Sequence, residues 1–294
     1  MTTHRKAEFG PGLAVLALAA GLVPPAAAEE DGILPEAWQR MADATRAGQP
    51  SWSSPLVTTT ALLEQRLRLD AAHRSAGNGA DTTLLDGGRG LDLIVAPATE
   101  LQIAAPTYNL RSPAGGNPAA TGFTDWPFLR IERRLASRPA GEGNYALTAW
   151  RTAQAPAGTA KFTNNAWIWL PTVAFGKGWG AFDIQGTVGA VVPASHTEIL
   201  GHQIQTNLAL QYQWGEFFWP DLEASWTYDT DGQRGGLSQV FLTPGLVVGR
   251  LPLGNGLAAS FGIGYQTALT PAYRPKPLTP AFDHAWLFTT RLNF

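Results

Sequence analysis

The chain has 294 residues, a formal net charge of -2 and no cysteine. Near-neutrality argues against a nucleic-acid-binding protein, which normally carries a clustered basic excess. The absence of cysteine excludes disulfide scaffolds, thiol catalysis and most zinc sites. Charged residues make up only 15% of the chain, against about 25% in ordinary soluble domains, whereas tryptophan and glycine are frequent. This composition is typical of a membrane β-barrel, in which half of each strand stays polar.

The N-terminus has the pattern of a secretory signal peptide. Basic residues at 4–6 precede an apolar run at 13–23, and three alanines end at Ala28. This pattern predicts a signal peptide over residues 1–28 that is cleaved near Ala28. The alternative is a short membrane anchor, but the apolar run is too short for that, and no later apolar run approaches the ~20 residues of a spanning helix.

Residues 29–54 are predicted to form a periplasmic N-terminal segment with a short helix or coil. Apolar side chains recur there at helical spacing, and Pro50 after Gly48 would end the helix. Two interpretations stay open, a plug inside a barrel and a loose tether, and the tether is favoured. The apolar side chains are Leu34, Trp38, Met41 and Ala42.

Residues 55–294 form a series of segments with alternating polarity, as in strands whose successive side chains point to opposite faces. In the first segment, residues 56–70, four charged side chains share one face: Glu64, Arg66, Arg68 and Asp70. A cation facing mid-membrane lipid would cost ~2–4 kcal/mol, so this face must point to a polar lumen. Similar segments are residues 90–97, 99–109, 125–135, 144–154, 165–175, 182–192, 202–214, 220–228, 237–250, 257–269 and 284–294.

These segments predict an all-β, transmembrane, antiparallel up-and-down barrel of about 12 strands, an even number as in bacterial single-chain barrels. The odd-numbered connections at 71–89, 110–124 and 270–283 are long, as expected on the extracellular side, and the even ones are mostly short. Both chain ends are then periplasmic. Aromatic residues at the expected membrane borders are Trp179, Trp214, Phe217, Phe218, Trp219 and Phe294.

The last segment, residues 284–294, has Trp286 and Phe288 on its apolar face and ends on Phe294. A chain that stops on an aromatic residue directly after such a strand resembles the closing strand of bacterial outer-membrane barrels. The resemblance implies that the barrel-assembly machinery recognises Phe294 and that the wall contacts outer-membrane lipid.

The predicted site is the set of polar side chains that face the lumen. One interpretation is structural, since a narrow barrel fills its interior with paired charges. The other is an electrostatic filter for solutes, and the structural interpretation is favoured because mixed charges neutralise one another. The set is Glu64, Arg66, Arg68, Asp70, Asp92, Arg130, Glu132, Arg134, Asp183, Gln205, Gln211, Glu223 and Arg291.

No constellation predicts a catalytic residue, a metal site or a cofactor. The five histidines are scattered, and the best candidate for catalysis, His284, would need a serine within hydrogen-bond reach on a neighbouring strand. The adjoining strands offer Gln266, Thr267 and Asp70, and no serine is expected at that height. The acidic run at 229–232 lacks the later ligands of a calcium loop.

Four sequence segments together resemble those of a known family: residues 50–65, 175–185, 218–220 and 239–245. The family is that of proteobacterial outer-membrane β-barrels labelled after the meta-cleavage pathway of phenol degradation and often called simply transporters. The resemblance covers residues 50–294 and implies a barrel in the Gram-negative outer membrane that takes up small organic compounds. It supplies no catalytic residues.

The sequence therefore favours a channel or passive transporter for small organic solutes, aromatic compounds among them. Two alternatives stay open. One is a lipid hydrolase at the outer rim that uses His284, and the other is a non-conducting structural or interaction barrel whose outer connection 110–124 binds partners.

Overall fold

The computed structural model describes residues 35–86, 89–115, 118–270 and 282–294. The predicted signal peptide and most of the connection 270–283 lie outside these residues. Helix α1 spans Glu36–Ala47 and α2 spans Thr197–Leu200, with 3₁₀ turns at Ala140–Glu142 and Gly232–Arg234. Within the described part of the chain, neither helix combines the length and the apolar character needed to cross a membrane.

The remaining structure is a single antiparallel sheet. Its strands are β1 Arg66–Ser75, β2 Asp81–Leu85, β3 Gly90–Ala96, β4 Thr99–Ala104, β5 Tyr108–Ser112, β6 Ala120–Phe123, β7 Trp126–Arg138, β8 Tyr145–Ala155, β9 Ile168–Trp179, β10 Phe182–Pro193, β11 Gln203–Tyr212, β12 Phe218–Asp229, β13 Ser238–Gly254, β14 Leu257–Thr270 and β15 His284–Asn293.

The sheet closes on itself because β15 pairs with β1 along the whole of β1. On its other side, β1 pairs with β3 through Arg66 and Leu67 and with β2 through residues 71–75. Segments β2 and β3 therefore form one interrupted wall strand, and the same holds for β4 with β5 and for β6 with β7. The wall is a closed up-and-down barrel of 12 antiparallel strands, which confirms the predicted fold class.

Local chemistry explains the interruptions, which the alternation pattern did not predict. Between β4 and β5 lies Pro106, which has no N–H to donate to a neighbouring strand. Asp86, between β2 and β3, has a positive φ of 60°. Between β6 and β7, the Asp125 carboxylate accepts hydrogen bonds from Thr163 (2.6 Å) and from the Asn164 N–H (2.7 Å), outside the regular ladder.

The two faces of the wall have opposite character. Large apolar side chains such as Ile131, Phe261 and Trp286 are exposed on the outside, while polar side chains such as Gln185 and Glu223 are fully buried on the inside. This is the reverse of a soluble barrel and is the pattern of a barrel that stands in lipid.

The aromatic residues expected at the membrane borders divide between the two faces. Trp179, Trp214 and Phe218 are exposed on the outside. The expectation is wrong for Trp219, whose side chain is 7% exposed and belongs to the interior core. Because Phe218 and Trp219 are consecutive strand residues, only one of the two can face outward.

The prediction of the first strand, residues 56–70, is wrong over its first part. The strand begins at Arg66, whereas residues 50–65 form a non-strand segment, here called the inner segment, that lies inside the barrel. Of the two interpretations of the N-terminal region, the favoured tether is therefore wrong for residues 50–54, which are part of this interior segment. Its small, hydroxylated residues and prolines favour turns, and several of its backbone groups make hydrogen bonds to wall side chains.

An apolar core fixes the inner segment to the wall. Trp52, Leu56, Ala61 and Leu62 pack with wall residues from several strands, which are Ala146, Ala174, Trp219 and Val247. The Trp52 ring lies where a Cβ on Gly176 or Gly178 would stand, at 2.4 Å and 2.6 Å from ring atoms. Glycine on strand β9 thus makes room for the indole.

Helix α1 lies at the end of the barrel where β1 begins, here called the lower end. The Trp38 indole N–H donates to the Ile94 carbonyl (2.6 Å), and Ser137 Oγ donates to the Gly48 carbonyl (2.5 Å). Arg46 donates to the carbonyl of the final residue (3.2 Å). The helix therefore contacts the wall near the β3–β4 turn and the chain terminus.

One ion pair joins two connections at the upper end, where β1 ends. The Asp231 carboxylate accepts a hydrogen bond from the His202 N–H and lies 2.8 Å from His202 Nδ1. These hydrogen bonds hold the pKa of Asp231 below its usual range. We expect this contact to be complete at neutral pH and to be lost only as the pH falls through that lowered value.

The prediction is that hydrogen-exchange protection of the His202 amide, corrected for intrinsic exchange, drops in the acidic range below the ordinary aspartate pKa. In Asp231→Asn this pH dependence should disappear, whereas Glu198→Gln in the same connection should leave it unchanged. Equal protection of the wild type at neutral and acidic pH would contradict the assignment.

Candidate functional site

The candidate site is the lumen, where the peptide groups of the inner segment lie between two oppositely charged parts of the wall. On one side, the guanidinium groups of Arg68, Arg89 and Arg291 donate hydrogen bonds to the carbonyl oxygens of residues 54–57. The distance from Arg68 Nη2 to the Leu56 oxygen is 2.5 Å. These arginines come from β1, from the β2–β3 break and from β15, which are neighbours in the barrel.

On the opposite side, carboxylates of β12 accept hydrogen bonds from the same segment. Glu223 receives the N–H groups of Val57 (2.7 Å) and Thr58 (2.5 Å), and Asp221 receives that of Leu56 (3.3 Å). Cations thus face the carbonyls and anions face the N–H groups. These hydrogen bonds satisfy buried backbone groups of the inner segment. Burying such groups without partners would cost several kcal/mol.

Two further wall residues, Gln185 and Thr148, hold the inner segment through three hydrogen bonds. Gln185 of β10 donates to the Ser53 carbonyl (2.9 Å), and its Oε1 accepts from Thr60 (2.6 Å). Thr148 of β8 donates to the Ala61 carbonyl (2.5 Å). The segment is therefore held from several sides of the barrel, although it forms no ladder with any strand among the described residues.

A compact cluster of charges lies below this segment on β1, β3, β4 and β7. Arg66 Nε is 2.9 Å from Asp92 Oδ2, and Arg130 is 3.1 Å from Glu100 and 3.2 Å from Glu132. Buried ion pairs of this kind require close geometry and further hydrogen bonds to offset their desolvation. Asp92 has such a bond from Gln102 (2.7 Å).

The 13 side chains predicted for the lumen are buried or half-buried, and none lies on the exposed outer face. The inner segment or α1 is contacted by Arg66, Arg68, Arg134, Glu223 and Arg291. Glu64 belongs to the inner segment itself. The others make wall contacts or line cavities: Asp70, Asp92, Arg130, Glu132, Asp183, Gln205 and Gln211.

Sequence reasoning missed three charged residues of the lumen. Glu100 and Asp221 have the inward parity of their strands, and both are buried. Glu223 was selected on β12 and Asp221 was not, although the same alternation applies to both. Arg89 follows a glycine pair and was assigned to a loop, so no periodic signal could have identified it.

We expect the hydrogen bond from Thr148 to the Ala61 carbonyl to make a measurable contribution to stability. Thr148→Val keeps the shape of the side chain but leaves the buried Ala61 carbonyl without this donor, which should lower the free energy of unfolding by about 1–3 kcal/mol. Urea unfolding in detergent, followed by tryptophan fluorescence, measures the change. Thr290→Val, on the exposed outer face of β15, is the matched control and should have little effect.

Two cavities flank the inner segment. The lower cavity has a volume of about 170 Å³ and is bounded by Ser51, Ser53, Glu64 and Arg250. The upper cavity has a volume of about 330 Å³ and is bounded by Thr59, Trp150, Thr172 and Gln205. Residues of the inner segment line both cavities, Ser51 and Ser53 the lower one and Thr59 the upper one.

The expectation that no serine lies level with His284 is wrong. The β1–β15 register places Ser75 directly opposite His284. The two side chains make no hydrogen bond with each other in the described part of the chain, and the imidazole stacks on Tyr265 with ring centroids 6.0 Å apart. A hydrolytic pair needs the base within ~2.6–3.2 Å of the nucleophile.

Metal binding has no geometric support among the residues that the structure describes. No group of three or more histidine, cysteine, aspartate or glutamate side chains is arranged there to hold an ion.

A closed antiparallel barrel of 12 strands with an apolar outer face and a polar inner face defines the architecture of an outer-membrane β-barrel protein. No family model matches the chain, and no curated protein matches it. The comparison with solved structures therefore concerns architecture.

The NanC porin superposes with a TM-score of 0.52 at 8% identity, covering 78% of this chain and 100% of that one. An outer-membrane channel from Pseudomonas putida F1 gives a TM-score of 0.49 at 12% identity, covering 79% and 96%. A loop-deletion form of OmpT, an outer-membrane protein of Vibrio cholerae, gives 0.35 at 10% identity, covering 78% and 97%. At these identities the likeness supports the fold alone.

Proposed function

We propose that the protein is a passive channel for small organic solutes in the outer membrane of a Gram-negative bacterium, reached after removal of a signal peptide near Ala28. The inner segment closes this channel in the resting state. The observation that carries the proposal is a polar lumen filled by a segment that is held by side-chain hydrogen bonds and apolar packing rather than by strand pairing.

The way in which the inner segment is attached matters, because this segment can leave the lumen while the wall of the barrel stays intact. Each wall strand is held by backbone hydrogen bonds to its neighbours, which a barrel cannot lose without opening. Residues 50–64 of the inner segment can leave without breaking these backbone hydrogen bonds, and water could then solvate Glu223, Arg68 and Arg291. The exterior band of apolar side chains supports the membrane location.

Planar-bilayer recording of two purified proteins tests the proposal. The chain from Glu36 onward should show low conductance, and a variant that begins at Gln65 should show sustained openings, because its lumen lacks the inner segment. Heat-modifiable gel migration checks that both barrels are closed. A folded variant without residues 36–64 that leaves the bilayer sealed would overturn the channel function.

The class of solute is a separate part of the proposal. The family resemblance implies uptake of small organic compounds, aromatic ones among them. Liposome swelling with benzoate, compared with neutral solutes of similar size, measures an aromatic preference in the variant without the inner segment. Equal swelling rates for all solutes would indicate a general pore rather than an aromatic-selective one.

A further inference from the structure

The upper cavity is a concave surface built by five neighbouring strands, β7 to β11. In the register of these strands, Thr172 lies opposite Trp150 on one side and opposite Gly189 on the other, and Gly189 lies opposite Gln205. Residues directly opposite in an antiparallel pair share a face, with Cβ atoms about 4.5–5.5 Å apart. These side chains therefore surround one space.

Gly189 makes room for a polar side chain of the cavity. A Cβ at this position would stand 2.5 Å from Thr172 Oγ1. Its absence lets the Thr172 side chain lie against the backbone of β10, at one side of a recess that Gln205 borders on the other.

Several polar groups that line the cavity have no protein partner. The side chains of Thr152, Gln154 and Thr172, and the indole N–H of Trp150, make no hydrogen bond to any residue of the described ranges. Each is half-buried rather than freely solvated. They offer both donors and acceptors at the wall of the recess.

Two amides add acceptors on the other side of the recess. Gln205 donates its amide to Gln203 (2.6 Å), and Asn207 donates its amide to Thr187 (3.1 Å). Both retain a side-chain carbonyl oxygen without a partner in the described structure.

The arginines that border the cavity are already engaged. Arg130 lies within 3.8 Å of carboxylate oxygens of Asp92, Glu100 and Glu132. Arg89 donates to Asp70, to Thr59 and to the Val57 carbonyl. Because both guanidinium groups already make hydrogen bonds or ion pairs within the protein, the unpaired groups that remain available to a ligand are neutral.

We propose that the upper cavity is a binding site for small neutral solutes rich in hydroxyl or amide groups, of about the size of a monosaccharide. Its volume of about 330 Å³ lies at the lower end of the range of small-molecule sites, ~300–1,000 Å³. The inference rests on the proposed channel function and assigns its solute class from the lining of the cavity, in place of the aromatic class that the family resemblance implies. Binding requires no conduction, so the channel function and the binding site can fail separately.

Saturation-transfer NMR on the detergent-solubilised chain, titrated with glucose and with benzoate, tests the site. Glucose should bind with a millimolar dissociation constant and benzoate more weakly. The double variant Thr172→Val/Gln154→Leu should weaken glucose binding roughly fivefold to tenfold through the loss of hydrogen bonds. Thr290→Val on the outer face should leave it unchanged.

A second variant keeps the test independent of any folding defect. Gly189→Ala displaces the Thr172 side chain without removing a polar group, so it should weaken glucose binding while the gel migration of the barrel stays native. Absence of glucose binding to the wild type, tighter binding of benzoate than of glucose, or unchanged glucose binding in both variants would each overturn the proposal.

Discussion

Replacing Gly262 and Gly264 together with alanine is expected to raise the open fraction of the channel by roughly ten- to hundredfold. These glycines face the lumen on β14, and Leu56 of the inner segment packs against them. A Cβ on Gly262 would stand 2.4 Å from Leu56 Cδ2, and one on Gly264 would stand 2.7 Å from Leu56 Cδ1. Because the two methyl groups block both branches of the side chain, rotation of Leu56 cannot relieve both contacts.

The size of the expected change in open fraction follows from the burial of the Leu56 side chain. Leu56 is 5% exposed, and fully burying a leucine side chain is worth about 1.5–3 kcal/mol. Each ~1.4 kcal/mol changes an equilibrium constant tenfold. Expelling Leu56 therefore shifts the equilibrium between the closed and open lumen by one to two orders of magnitude. A Cβ on Gly262 would also stand 2.7 Å from Thr289 Cγ2 on β15, so that wall side chain must shift as well.

Single-channel recording of the wild type and the double variant measures this open fraction. Gly249→Ala is the matched control, because a Cβ there meets its nearest neighbours at an ordinary 3.6 Å. A double variant with a native gel shift and the gating of the wild type would contradict the role of Gly262 and Gly264 in accommodating Leu56.

Replacing Asp92 with alanine is expected to lower the free energy of unfolding by about 3–5 kcal/mol, the usual cost of removing one partner of a buried ion pair. Asp92 is fully buried and lies 2.9 Å from Arg66 Nε, with a further hydrogen bond from Gln102. Without it, Arg66 keeps only Glu64 at 3.7 Å among the carboxylates that the structure places near it.

Urea unfolding of the two proteins in the same detergent gives the comparison. Asp43→Ala removes an exposed ion pair with Arg46 (2.5 Å) from helix α1 and should change stability by less than about 1 kcal/mol. If the Asp92 and Asp43 variants unfolded at the same urea concentration, the charge cluster would be hydrated rather than dry, and the buried-pair argument would fail.

The wall of the barrel could be predicted because it obeys one local rule. From β7 onward, alternation of apolar and polar side chains placed Gln211, Glu223 and Arg291 on the same side of the sheet, and the predicted strand limits differ from the observed ones by only a few residues. Such a pattern can be recognised from neighbouring residues alone.

The inner segment could not be predicted in this way because its structure depends on distant partners. Val57 and Thr58 find their acceptor 165 or 166 residues away, in Glu223. Read locally, residues 56–65 continue the alternation of β1 with Leu63 and Glu64, and nothing in the pattern marks Arg66 as the first wall residue. One signal was available: the lumen was predicted to hold several arginines and carboxylates, and such groups require hydrogen-bond partners inside the barrel.

The position of the inner segment also bears on how the barrel is assembled. The segment immediately precedes β1, yet the barrel is complete only when β15, the last strand, pairs with β1. The segment must therefore be enclosed as the ring shuts, or be threaded into a ring already shut. Because its contacts join residues far apart in the chain, ordering it should be a late and slow step of refolding. The inner segment would then fill a wall whose first and last strands are already paired.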